Sequence, residues 1–227
     1  MKPRSFQEES LHPGLRAPQP ASATRPAPYL DQSRRIALIG GVAAIAAGWL
    51  FVSDSLWGRD SLVESLLTSL GQCFVMAAVL GRLWSTLYIG GRKNACLVTR
   101  GPYSLTRNPL YFFSILGAAG AGLVFGSLIV AALLGGAIYL LLDRAARGEA
   151  ALLRDGFGPS YADYAERVPL LWPRLTGYED AAEPSFRPLA LGRALRDALL
   201  FLMLLPTAEM AGYAKAAGLL PRLVPLL

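Results

Sequence analysis

The stretch from Asn108 to Leu142 reads NPLYFFSILGAAGAGLVFGSLIVAALLGGAIYLLL, thirty-five residues without a charge between Arg107 and Asp143. As a single helix it would measure roughly 52 Å, too long to cross a hydrocarbon core of about 30 Å even with generous tilt. Two helices folded as a hairpin fit the interval, with the turn expected near Gly126-Ser127, where glycine tolerates the break. Working outward, Ile36 to Ser53 gives eighteen charge-free residues between Arg34-Arg35 and Asp54. A second block runs from about Leu62 to Ile89, interrupted by Arg82 near its end. A last apolar block, Ala198 to Ala208, holds eleven residues before Glu209, a length that suits a re-entrant or interfacial segment as well as a crossing. The expected fold class is all-α: a polytopic membrane helix bundle of four to five transmembrane helices, with a helical hairpin and a cytoplasmic amphipathic segment.

Composition agrees. Of 227 residues, 53% are hydrophobic and 17% charged, with 22 Lys and Arg against 16 Asp and Glu for a net charge of +6. Mean hydropathy is +0.39. That charge is too little to coat a water-facing surface, and the apolar residues come in blocks, which argues against a soluble nucleic-acid binder. Two cysteines, Cys73 and Cys96, exclude a disulfide scaffold and are expected as thiols in a reducing compartment.

Basic residues orient the chain. Lys2, Arg4, Arg16, Arg25, Arg34 and Arg35 precede the first block, Arg92, Lys93, Arg100 and Arg107 follow the second, and Arg144, Arg147 and Arg154 follow the hairpin. The positive-inside rule then puts the N-terminus and both basic segments in the cytoplasm of a multi-pass membrane protein (the inner membrane, in a bacterial cell). Residues 1–33 hold six of the sixteen prolines and no long apolar run, and are read as a disordered cytoplasmic tail. Residues 34–175 form the expected core and 176–227 a membrane-associated helical region.

Several chemistries are excluded by what is missing. His12 is the only histidine and lies in the tail, so neither a His-based triad nor a His-rich metal site can be built. No P-loop pattern occurs, and the hairpin carries no mid-membrane ionisable residue of the kind a transporter uses. Polar residues gather instead at the cytoplasmic helix ends. In Thr106-Arg107-Asn108-Pro109-Leu110-Tyr111, Pro109 drives Asn108 out of the helical region and can open the next helix. Arg107 and Asn108 are thereby held at the interface beside helix N-terminal amides that favour an anion; taken alone, an Arg snorkelling to lipid phosphate accounts for them equally well. After the hairpin come Arg147-Gly148-Glu149 and Gly156-Phe157-Gly158-Pro159-Ser160-Tyr161-Ala162-Asp163-Tyr164. Ser160 with Asp163 resembles a capping box opening a short amphipathic helix, with Tyr161 and Tyr164 on one face.

Together these pieces resemble a known family. Gly-Pro-Tyr at 101–103 and Arg-Asn-Pro-x-Tyr at 107–111 precede a membrane hairpin; Glu149, Phe157-Gly158, Tyr161-x-x-Tyr164 and Val168-Pro169 through Pro173 follow it. That ordered set, with Gly81-Arg82-Leu83-Trp84 ahead of it, is similar to the isoprenylcysteine carboxyl methyltransferase and phospholipid methyltransferase superfamily of integral membrane enzymes. The resemblance spans about Gly81 to Arg174.

It implies S-adenosylmethionine as methyl donor in a cytoplasm-facing pocket, and a hydrophobic or lipidated acceptor entering from the bilayer, with no metal and no nucleic acid. By the same resemblance Arg107, Asn108 and Glu149 are the candidate catalytic residues. Arg107, Asn108, Pro109, Tyr111, Glu149 and Tyr161 are candidates for the cofactor, together with Gly120 and Gly122, whose small side chains serve close helix packing equally well. Two departures stand out. Asn108 occupies the usual histidine position and can only hydrogen-bond. Ala150 stands where a second acid is usual. With no imidazole base available, a carboxylate acceptor, already ionised, is expected over a phospholipid amine. The alternatives are phospholipid-type N-methylation, or a non-catalytic membrane or lipid-binding protein that retains the fold.

Overall fold

The computed structural model describes residues 41, 48, 53–55, 61–89, 96–180, 188–220 and 224–226. The expected tail, 1–33, lies outside the described residues, as does the expected first crossing, 36–53, apart from Gly41, Gly48 and Ser53. The described chain is helical: α1 (Leu62–Ile89), α2 (Pro102–Leu105), α3 (Pro109–Val124), α4 (Leu128–Phe157), α5 (Pro159–Arg167), α6 (Pro188–Leu202) and α7 (Leu204–Ala216). Its only strands among the described residues are β1 (Ser53–Ser55) and β2 (Val224–Leu226), a parallel pair with Ser53 opposite Val224.

The hairpin turns where the glycine predicts. Helix α3 ends at Val124, Gly126 takes φ 73°, and the Ser127 side chain caps α4 by accepting from the Val130 amide at 3.2 Å. Small residues set the helix spacing. A Cβ on Gly122 would stand 2.2 Å from the Ala131 nitrogen, so the two arms of the hairpin touch backbone to backbone. Ile115 and Tyr111 of α3 meet Ile138 and Leu142 of α4 further down, with Leu171 closing the cluster.

Helix α1 runs antiparallel to α3. A Cβ on Gly71 would lie 2.5 Å from the Val124 nitrogen, one on Gly120 would lie 2.8 Å from Phe74 Cβ, and one on Gly81 would enter the Phe113 ring. Helix α6 packs on this pair, with the Phe201 ring over Gly117.

Helices α1 and α4 are long and apolar enough to cross a membrane, and only 22% and 28% of their apolar windows are buried inside the protein. The core helix of a soluble bundle would show the reverse. Helix α3, with 16 residues, is a shorter apolar helix.

Two local expectations are corrected, and one open segment is resolved into helices. Helix α4 does not stop at the charges after Leu142: its 30 residues run to Phe157, carrying Glu149 on a helical overhang instead of in a following segment. The capping box at Ser160 is not formed. Gly158 is the N-cap at φ 54° with no side-chain cap bond, and Pro159 takes the first helical position, so the turn is made by backbone conformation. The block 198–208 is split between α6 and α7 at Met203. Pro206 has no N–H for the Leu202 carbonyl, which breaks the helix one turn earlier.

Candidate functional site

The chain described from residue 96 through α2 to Asn108 folds against the segment that follows α5. The seam is made mostly by backbone. The Arg107 amide donates to the Pro169 carbonyl at 2.9 Å and the Arg174 amide to the Leu105 carbonyl at 2.9 Å. The buried Thr106 hydroxyl donates to the Leu171 carbonyl at 3.0 Å, and the Asn108 side-chain amide to the Leu170 carbonyl at 2.9 Å. Further on, the Gly101 amide donates to the Glu179 carbonyl at 2.7 Å and the Glu179 amide to the Ser104 hydroxyl at 3.0 Å. The Val168–Asp180 strap therefore lies along the whole 101–108 connection. It brings the motif before the hairpin and the motif after it into one place.

A cavity partly open to solvent sits at this junction. Arg107, Asn108, Pro109, Tyr111, Glu149 and Tyr161 all line it, so six of the eight residues expected from sequence meet there. Gly120 and Gly122 do not. Both are buried in α3, Gly120 against α1 and Gly122 against α4, where a Cβ would collide with neighbouring helices. Their role is packing. Sequence reasoning passed over Ile89, Leu97, Leu153 and Tyr103, which also line the cavity. The Gly-Pro-Tyr signal could have flagged Tyr103. Ala150 is in the wall too, so the position of the absent second acid presents a methyl group to the cavity.

Each polar group is held by a neighbour. An Arg107 terminal nitrogen donates to the Tyr161 hydroxyl at 3.1 Å, and the guanidinium carbon stands 5.8 Å from the Tyr161 ring centroid. Tyr161 is 1% exposed, so its ring is a fixed support. In the same lining, the Tyr111 hydroxyl donates to a Glu149 carboxylate oxygen at 3.0 Å. The Tyr164 hydroxyl donates to the Tyr103 carbonyl at 2.7 Å and ties α5 to α2. Burial pushes the Tyr103 and Tyr164 phenols well above the ordinary tyrosine range, and the Tyr164 phenol, Glu149 and Tyr111 add to the shift in Tyr103, so both stay neutral. Asn108 spends its amide on the strap, which makes it a positioning residue.

Two buried donors have no partner among the described residues: Arg107 Nε and the Tyr103 hydroxyl. A buried polar group left unpaired costs about 1–3 kcal/mol, so two of them on one cavity wall call for a ligand that accepts hydrogen bonds. With a supported cation, a carboxylate and apolar side chains in one lining, the residues present fit the charged groups of a zwitterionic cofactor such as S-adenosylmethionine.

Candidate membrane spans and a cavity with polar groups at the base of a helical hairpin define the class: a helical protein with a candidate site built on the ends of its apolar helices. Comparison then supplies the family. A family model described as phospholipid methyltransferase matches residues 36–160, more than half of the chain, and the chain belongs to that family. It is 36% identical to the cobalt-zinc-cadmium resistance protein CzcN of Cupriavidus metallidurans, over 91% of this chain and 95% of that protein. It is 34% identical to the nickel-cobalt-cadmium resistance protein NccN of Alcaligenes xylosoxydans xylosoxydans, over 96% of this chain and 98% of that one. No solved structure matches.

Proposed function

We propose that this chain is a membrane-embedded, S-adenosylmethionine-dependent methyltransferase that esterifies a carboxylate on a hydrophobic or lipidated acceptor. The observation that carries the reading is the pair of buried donors without a partner among the described residues, Arg107 Nε and the Tyr103 hydroxyl, on residues that line one cavity together with the Tyr111–Glu149 pair. The bound cofactor supplies a methyl group on a sulfonium sulfur, which passes to a carboxylate oxygen as the carbon–sulfur bond breaks and leaves a neutral thioether. No proton has to move, so the absence of an imidazole at Asn108 does not stop the reaction.

What the protein supplies is alignment and exclusion of water. Arg107 binds the cofactor carboxylate through Nε, steadied by Tyr161. Glu149, oriented by Tyr111, receives the cofactor amine or ribose hydroxyls. Ile89, Leu97 and Leu153 keep the reacting centre dry. The chain crosses the membrane four to five times with this cavity on the cytoplasmic side, a topology supported by the basic residues flanking α1 and α4.

A second reading, N-methylation of a phospholipid head group, is favoured by the description of the family. The names of the two relatives add a physiological direction. Methyl esterification removes one negative charge and one oxygen ligand for divalent cations from each acceptor, which would lower cation binding at the membrane.

Labelled methyl transfer from S-adenosylmethionine to total membrane extract tests the reading. Base-labile label, released as methanol, is the expected result. Base-stable label on a phospholipid amine would establish the second reading, and no incorporation by the intact protein would remove both.

A further inference from the structure

One charge lies deeper than the cavity. Arg82 of α1 sits seven residues before the end of that helix and donates to the Ser114 hydroxyl of α3, five residues after that helix begins. Both positions are therefore about 7–11 Å from the helix ends that face the cavity. Ser114 in turn donates to the Leu110 carbonyl at 2.7 Å, and Leu110 lines the cavity. The guanidinium is thus one helical turn beyond the cavity wall, on the membrane side.

It is not snorkelling to water: it points across to a neighbouring helix, in the groove that α6 covers. Among the described residues its hydrogen-bond partner is a neutral hydroxyl, and no carboxylate forms an ion pair with it. Asp197 of α6 is within electrostatic reach, but that side chain is 55% exposed and lies beside Arg196 at 3.7 Å. A cation held inside a membrane groove without a paired anion is costly, and such residues face substrate or ion paths.

We propose that Arg82 and Ser114 form an anion subsite for the head group of an acyl- or prenyl-chain amphiphile, the form in which the methyl acceptor reaches the cavity from the bilayer. This rests on the methyltransferase reading for the word acceptor, but not for the binding itself. Arg107 then serves the cofactor and Arg82 the acceptor, so that the two anions do not compete for one guanidinium.

The full-length protein in an uncharged detergent is titrated with oleate, dioleoyl phosphatidylglycerol, dioleoyl phosphatidylcholine and oleyl alcohol, with retention read by native mass spectrometry. The wild type is expected to hold oleate at least about tenfold more tightly than the alcohol. Arg82→Gln loses that preference, Arg82→Lys keeps most of it, and Ser114→Ala weakens it by about two- to threefold. The affinity for S-adenosylmethionine stays unchanged in all three variants, which separates this subsite from the cavity.

Dependence on Arg82 for oleate alone assigns the site to a carboxylate amphiphile. The same dependence for phosphatidylglycerol assigns it to anionic lipid of either kind. Equal retention of oleate by the wild type and by Arg82→Gln overturns the subsite, as does equal retention of phosphatidylcholine and oleate by the wild type. A wild type that binds oleate through Arg82 but never binds S-adenosylmethionine leaves the subsite standing and fails the methyltransferase reading instead.

Discussion

Arg107 is held by three kinds of contact, and they can be separated by substitution. Its amide is in the strap seam, its terminal nitrogen bonds the Tyr161 hydroxyl and its guanidinium stands over the Tyr161 ring, while Nε has no partner among the described residues. Tyr161→Phe keeps the supporting ring and removes one charge-assisted bond, worth about 1.5–3 kcal/mol. Its expected effect is a tenfold or greater weakening of cofactor binding, read by calorimetry, with thermal stability nearly intact. Tyr164→Phe does the opposite: it strips the buried Tyr103 carbonyl of a partner, lowering stability by about 1–3 kcal/mol.

The raised phenols of Tyr103 and Tyr164 fix a pH dependence as well. A folded pKa above the unfolded one contributes stability that is full below the unfolded value, near 10, and is lost as pH rises beyond it toward the folded value. A melting temperature followed from pH 7 to 11 is therefore expected to show no phenol-linked loss up to about pH 9.5 and to fall above that. Most of these residues were legible as types in a motif. Their roles were not, because the sequence cannot show that the Asn108 amide faces Leu170 and not a cofactor, or that Tyr103 has nothing to bond.

Among the elements, the hairpin was the most legible. A charge-free interval of known length forces two helices, and a central glycine places the turn. What the same pattern could not show is where α4 ends. Charges after Leu142 mark the membrane boundary, but a helix continues through charged residues as readily as through apolar ones, and here it carries Glu149 out to the cavity.

Gly120 and Gly122 were read as a place for cofactor approach, whereas helix contacts occupy both. Gly122→Ala would set a methyl 2.2 Å from the Ala131 backbone nitrogen, and is expected to cost about 1–3 kcal/mol or more in detergent stability. Gly136, with nothing within 4 Å of its hypothetical Cβ, is the control: Gly136→Ala should be neutral or slightly stabilising.

At the scale of the whole molecule, the site exists only because segments sixty residues apart are stitched by the strap. Composition named the solvent and residue spacing named the hairpin. The stitching was invisible to both, since it is made mainly by backbone groups that every sequence possesses. The proposed topology has its own check. Reporter fusions in a bacterial host are expected to show residue 126 on the periplasmic side and residue 180 in the cytoplasm, and the reverse pattern would contradict the assigned orientation.

The central claim is that the cavity between the two motifs binds S-adenosylmethionine through Arg107. Calorimetric titration of the purified protein in detergent tests it most directly. The expected result is one cofactor bound per chain, with binding abolished in a folded Arg107→Ala variant. Absence of any binding at millimolar cofactor, or undiminished binding by Arg107→Ala, would contradict it.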